Sequence, residues 1–392
     1  MESYLEKLPA FTEKIKAISE IIITNIILIG QIPSPTFKEE RRAQFFLDRL
    51  SEFQVDECTM DGFGNAIGII RGTNRKKAPI FITAHLDTFF DKDIVYDFTV
   101  KEKWVQGPGI LDNTMGVGVL ASLPEIFRRL DLRFQSDIVL AGVKQSIGKG
   151  NLRGIRNLLK TWSSPIRSAI CLEGHELGRL NYFSDGMRRC EIRCLCRRIG
   201  VSEQRFIPNA ILILHDVINE ILKLRLPQRP RTIIVIGKIN GGLNHGQVAE
   251  EAELGFEIRS FSDKTVKTIY NDIRDIVQGI GHENGVDMKL TTIGNLNATT
   301  LKFNHPLVKN AASVLKKLNI KPVSRPSESS LSIFLARKIP AVTLGISTGE
   351  NRFMENAKMH IEPMIKGIAQ VVGVTMAIDS GVCDAVDKGE FL

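Results

Sequence analysis

Apolar and polar positions along this chain recur with two periods, and the switching between them predicts the elements. Residues 11–30 read as a helix ended by Gly30, followed by a turn through Gln31–Thr36. Residues 38–53 have helical spacing, with Phe45, Phe46, Leu50 and Phe53 on one side. Short β-branched runs follow at Asn65–Arg71, Ile80–Thr83, Asp137–Ala141 and Ser168–Leu172. Helical stretches separate the later runs, at Val117–Leu130 and Leu152–Thr161, so the pattern predicts an α/β sheet.

Near Gly186 the pattern changes. A strand over 187–198, a helix over 208–224, strands over 231–239 and 249–259, a helix over 263–279 and a strand near 286–292 give the order β-α-β-β-α-β. That is the split ferredoxin-like arrangement. The first pattern then resumes, with a helix over 305–318, a strand at Ala341–Ile346 and a helix over 362–378. The expected organisation is a smaller domain, 186–297, inserted into a larger one made of 1–185 and 298–392. The tail from Asp379 to Leu392 is expected to be mobile.

Composition narrows the function classes. The 392 residues are 43% hydrophobic and 24% charged, which suits a two-domain globular chain able to bury a large core. The net charge of +8 is scattered, and its densest run, Arg71–Lys77, lacks interleaved aromatic residues. A stacking platform for single-stranded nucleic acid is therefore missing, and no nucleic-acid partner is expected. The six cysteines form no CxxC pair. A metal site at Cys190, Cys194 and Cys196 is a weaker reading than buried thiols in a reducing compartment. The N-terminus does not read as a signal peptide, and the apolar run Ile21–Gly30 is too short to span a bilayer. A cytoplasmic protein with no membrane partner is expected.

Three segments carry chemistry. Ala84-His85-Leu86-Asp87-Thr88 follows an apolar strand, at the carboxyl edge where open α/β sheets bind ligands. There one residue can bind metal while its i+2 neighbour steadies it; alone, the pair is more often structural. Asp112, in the glycine-bordered loop Gly107–Gly116, can bridge metals or cap the helix that it opens. Glu173 ends the apolar strand before Gly174-His175-Glu176. His85, Asp112 and Glu173 together form a credible single zinc site with room for water.

These motifs resemble the dizinc peptidase and amidohydrolase family of peptidase T, glutamate carboxypeptidase, acetylornithine deacetylase and succinyl-diaminopimelate desuccinylase, over nearly the whole chain. His85-Leu86-Asp87 is similar to its HxD motif, Gly109–Asn113 to its metal-bridging aspartate loop, and Leu172-Glu173-Gly174 to its next ligand. Ile258-Arg259-Ser260 resembles the end of its lid strand, and Ile339–Gly345 a late strand, with Lys338 where a glycine is usual. The resemblance implies a zinc-aminopeptidase-like αβα catalytic domain with an inserted lid or dimerisation domain, and hence a homodimer. It also implies that His85, Asp112 and Glu173 bind one metal, that Asp87 orients His85, and that Arg259 binds a substrate carboxylate.

The chain departs from that pattern where the second metal and the general base belong. Two adjacent glutamates are replaced by Gln145, which cannot act as a base, and Ser146, a poor zinc ligand. Phe353 stands where a ligating histidine is expected. A family histidine falls at Val201, an asparagine at Gly246 (with His245 and Asn244 nearby) and an aspartate at Ser330. The expectation is a pseudoenzyme on a metallopeptidase scaffold, holding one zinc or none, with a second metal not expected. Two alternatives stay open. One is an active monozinc hydrolase of peptides or N-acyl amino acids, with a base from Glu176, Glu328, Glu350 or His175. The other is a binding or partner subunit.

Overall fold

The computed structural model describes residues 4–91, 93–196 and 208–384. In chain order it opens with helices α1 (Leu8–Ala17), α2 (Ser19–Gly30) and α3 (Glu40–Glu52). Strands β1 (Glu57–Met60), β2 (Ala66–Ile70), β3 (Ile80–His85), β4 (Thr99–Val100) and β5 (Trp104–Gln106) follow, then α4 (Met115–Arg129) and β6 (Ile138–Val143). Next come α5 (Arg153–Thr161), β7 (Ser168–His175), β8 (Leu180–Asn181) and β9 (Phe183–Ser184). The chain then builds β10 (Gly186–Leu195), α6 (Ala210–Lys223), β11 (Thr232–Gly241), β12 (Glu251–Ser260), α7 (Asp263–Asn284) and β13 (Asp287–Leu296). It closes with β14 (Thr299–Thr300), α8 (Pro306–Lys317), α9 (Ser330–Ala336), β15 (Ala341–Ser347), β16 (Gly349–Glu350), β17 (Lys358–His360) and α10 (Ile361–Ser380).

Two compact units result, Met1–Ser184 with Thr299–Leu392, and Asp185–Ala298. The first holds a seven-stranded sheet in the order β1-β2-β6-β3-β7-β15-β8. Its four central strands, β6, β3, β7 and β15, run parallel, and the outer ones are antiparallel. Every residue of β6 and β15 is buried, as a sheet covered on both faces requires. Gly367 of α10 has no room for a Cβ against the Ile346 carbonyl, so this helix approaches β15 at backbone distance. The second unit has a four-stranded antiparallel sheet in the order β11-β12-β10-β13 with two helices, the split ferredoxin-like order the sequence predicts.

Three expectations change. The helix over 11–30 is two helices, because the chain leaves helical geometry at Ile18 (φ −113°, ψ 14°). Asp112 does not open a helix: its φ of −152° and ψ of 83° are extended, and α4 begins at Met115. The chain end is held at least to Asp384. The Asp379 carboxylate accepts from the Gln135 and Ser136 amides at 2.8–3.1 Å, and Arg167 donates to Asp384 at 2.6 and 2.9 Å. Among the described residues one helix, α10, is long and apolar enough to cross a membrane, and most of it is buried within the protein.

Arg42 of α3 ties this framework to the functional edge. Its side chain has no exposed surface, and burial pushes its pKa down to about 10. The guanidinium donates to the Ile32 carbonyl at 2.6 and 3.0 Å, to the Leu86 carbonyl at 3.1 Å and to the Thr114 hydroxyl at 3.4 Å. Leu86 lies between His85 and Asp87, and Thr114 lies two residues after Asp112, so one cation braces both segments. Arg42→Leu would leave several buried acceptors without donors, each worth about 1–3 kcal/mol. Urea denaturation should show a loss of about 3 kcal/mol or more. Arg75→Ala, an exposed control, should stay within about 0.5 kcal/mol of the parent.

Candidate metal centre

The parallel strands deliver the site because all four end on the same edge. His85 closes β3, Glu173 lies near the end of β7, Lys144–Ser146 follow β6, and Arg352 lies beyond β15. Asp112 reaches this edge through Asn113. The Asn113 amide donates to the Leu172 carbonyl at 2.9 Å, and its oxygen accepts from the Gly174 amide at 2.8 Å. That two-point grip lays the aspartate loop against β7, on either side of Glu173. Asn113 sits inside the aspartate-loop motif, but this docking role has no signature in the sequence.

The structure brings together His85, Asp112 and Glu173, and one ligand atom from each lies within 4.8 Å of the others. His85 Nε2 is 3.2 Å from Asp112 Oδ1. A histidine nitrogen and two carboxylate oxygens at this spacing fit one zinc ion with an open position. Burial disfavours a charged His85, but its hydrogen bonds to Asp112 and Asp87 and the charge of Glu173 outweigh it and raise its pKa well above the usual value. Burial opposes ionisation of Asp112 as well, and His85 and Arg352 overcome it, so the carboxyl titrates below its usual range.

Asp87 is fully buried and contributes differently from a simple orienting carboxylate. The nearer partner of His85 Nδ1 is the Asp87 backbone carbonyl at 3.0 Å, and the carboxylate stands at 3.4 Å. The other carboxylate oxygen, Oδ2, accepts from the Thr36 hydroxyl at 2.9 Å, the Ser146 amide at 2.9 Å and the Ile147 amide at 2.8 Å. Asp87 therefore buckles the loop after β6 to the end of β3. Glu39 does the same one residue earlier, accepting from the Gln145 amide at 2.9 Å. Burial raises the Glu39 pKa.

The positions that the resemblance assigns to a second metal and a general base hold Gln145, Ser146 and Phe353. Gln145 and Ser146 are held by their backbones, and Gln145 Oε1 and Ser146 Oγ have no hydrogen-bond partner. Phe353 is mostly exposed and meets Phe89 edge-on, with 5.7 Å between ring centroids. Beside it, Arg352 donates from Nε at 3.0 Å and Nη2 at 2.7 Å to Asp112 Oδ2, and the same Nη2 lies 3.9 Å from Glu173. Arg179 stands 3.8 Å from Glu173. Neither arginine has a local sequence signature, since Asp112 lies 240 positions from Arg352.

The remaining candidates are dispersed. Arg259 lies on β12 of the second unit and donates to Glu257 at 2.9 Å. Gly246, His245 and Asn244 are exposed in that same unit, and Ser330 is buried at the start of α9. Val201 falls outside the described residues. Cys190, Cys194 and Cys196 are buried free thiols, and burial pushes Cys194 up to about 12, far from the thiolate that a metal requires. Of the alternative bases, Glu176 lies 3.7 Å from Arg325, and Glu350 lies 3.8 Å from His360. Burial, Arg352 and Arg179 lower the His175 pKa, which keeps its imidazole neutral.

Two family models match the chain: the peptidase dimerisation domain over residues 192–284, and peptidase family M28 over residues 65–145. No curated protein sequence matches it. Among solved structures, the fold is similar to aminopeptidase PepT from Bacillus cereus, with 17% identity and a TM-score of 0.68 over 92% of this chain and 98% of that one. It is also similar to the di-peptidase Dug1p from Saccharomyces cerevisiae, with 12% identity and a TM-score of 0.78 over 95% and 99%. The Bacillus subtilis YXEP protein, a dinuclear metal-binding peptidase from the M20 family, is 13% identical with a TM-score of 0.63 over 93% and 99%. Matched segments and fold point the same way: the chain is similar to M20- and M28-type peptidases, with an αβα unit like their catalytic domain and an inserted unit like their dimerisation domain.

Asp87→Ala should cost about 1–3 kcal/mol, the usual penalty for orphaned buried donors. Hydrogen exchange should report it locally, with faster exchange at the Ser146 and Ile147 amides and little change in α10.

Proposed function

We propose that this chain is a catalytically impaired metallohydrolase-like protein that holds a single zinc at His85, Asp112 and Glu173. The observation that carries the reading is an asymmetry of chemistry: one metal's ligands converge within 4.8 Å, while the neighbouring positions hold Gln145, Ser146 and Phe353. When bound, zinc supplies Lewis acidity and an acidified water. The chain's own residues supply the rest: Asp87 fixes the loop after β6, His85 is steered from its Nδ1 side, and Arg179 balances Glu173. Gln145 has no group that can accept and carry a proton at neutral pH. A missing general base costs roughly 10²–10⁴-fold in rate, and a missing oxyanion donor, as Val201 implies, about 10²–10³-fold.

A second reading, an active monozinc hydrolase of peptides or N-acyl amino acids, has His175 in its favour. This imidazole stays neutral, and it stands two residues after Glu173 on the same face of β7.

A homodimer through the second unit is part of the same proposal. β11 is an edge strand, and it exposes Val235, Ile236 and Ile239. Such an edge is a ready template for pairing. A cytoplasmic location accords with six unpaired cysteines.

Elemental analysis of protein purified without chelator should find about one zinc per chain, lost in His85→Ala. Hydrolysis of dipeptides and N-acyl amino acids should be at least about 10²-fold below that of a relative with both glutamates. Two zincs per chain, or rates near those of such a relative, would refute the proposal. A His175→Ala variant that removed a measurable rate would favour the second reading.

A further inference from the structure

The three ligands that converge here leave one oxygen of Asp112 spoken for, and by a cation of the chain itself. Asp112 Oδ1 faces His85 at 3.2 Å, whereas Oδ2 receives two donors from Arg352, at 2.7 and 3.0 Å. Nη2 of that arginine also stands 3.9 Å from Glu173, so a single guanidinium spans both carboxylates of the cluster. Its carbon lies 5.0 Å from the centroid of the Phe353 ring, a cation–π distance, and Phe353 is in turn steadied edge-on by Phe89. The phenylalanine that removes a metal ligand thus serves as the platform for the cation beside it.

We propose that the Arg352 guanidinium is a tethered replacement for the second metal ion, with Phe353 and Phe89 holding it against Asp112. This goes beyond the single-zinc reading and does not require it. Two carboxylates buried next to each other need positive charge nearby. A bridging aspartate between two ions receives that charge on both oxygens. Here the oxygen turned away from His85 receives it from a planar fork, whose donors suit a carboxylate. The exchange is consistent at each position: Ser146 and Phe353 give up coordination, and Arg352 supplies the charge. A guanidinium is a permanent monocation with no vacant orbital, so it holds a carboxylate, or an anionic ligand, without acidifying water. A divalent ion approaching that side of Asp112 meets a fixed like charge instead of a ligand.

The test is thermal unfolding and isothermal titration with zinc chloride on the full chain after chelator stripping. Four proteins are compared: the parent, Arg352→Ala, Arg352→Lys and the double variant Asp112→Asn/Arg352→Ala. The parent should bind no more than one zinc. Without zinc, Arg352→Ala should melt several degrees below the parent, and zinc should raise its Tm by more than it raises the parent's. Arg352→Lys, which retains a cation, should keep the parent's zinc response. In the Asp112→Asn background the loss of Arg352 should cost less than in the parent, because the nearer of the two charges it neutralises is gone and only Glu173 remains. If Arg352→Ala alone does not fold, the double variant decides, and it should fold. Two zincs on the parent, an Arg352→Ala variant that melts and responds like the parent, or an undiminished cost in the Asp112→Asn background would each overturn the proposal. A parent that binds no zinc while the cycle behaves as stated would remove the single-zinc reading and leave the tethered cation standing.

Discussion

Two acidic side chains buried at the end of a parallel sheet set the terms for everything around them. Asp112 and Glu173 converge on His85 at an edge where strand ends and loop backbones already crowd. Carboxylates in that setting are stable only with positive charge or donated hydrogen bonds at hand. Arg352 and Arg179 provide the first, Arg352 on the Asp112 oxygen turned away from His85 and Arg179 beside Glu173. Part of the charge neutralisation therefore comes from within the chain.

Around this centre a set of polar contacts positions the strand ends and loops. Arg42 holds the carbonyls and hydroxyl that flank the His85 and Asp112 segments. Asn113 docks the aspartate loop on β7, and Asp87 gathers the amides of the loop after β6. None of these contacts is made to a reacting group. They are the supports that a precise site demands, and they survive because the sheet, its loops and its buried polar atoms require them for stability whatever the site does.

What the sequence made legible follows from what has a period or a fixed spacing. The alternation of β-branched runs with amphipathic stretches is dictated by burial on a covered sheet, so the parallel strands and the α/β class could be read directly. His85, Asp112 and Glu173 could be picked out because each follows an apolar strand or sits in a glycine-bordered loop. Arg352 could not. Its partner Asp112 lies 240 positions away, and nothing in the local pattern of Thr348–Asn356 distinguishes a guanidinium aimed at a carboxylate from one in water. Asp379 was missed for a related reason: its acceptors' partners, Gln135 and Ser136, are 244 and 243 residues distant. The break at Ile18 and the small sheet of β4, β5, β16 and β17 are likewise products of tertiary packing, with no periodic signature.

The way Asp87 and Glu39 hold the loop after β6 reaches further than the site as it now stands. Both carboxylates grip main-chain amides, those of Gln145, Ser146 and Ile147, and so the path of this loop does not depend on which side chains it carries. Such a segment is a socket with a standard fitting. Its residues are free to drift away from one chemistry without unfolding the protein, and for the same reason free to drift towards another.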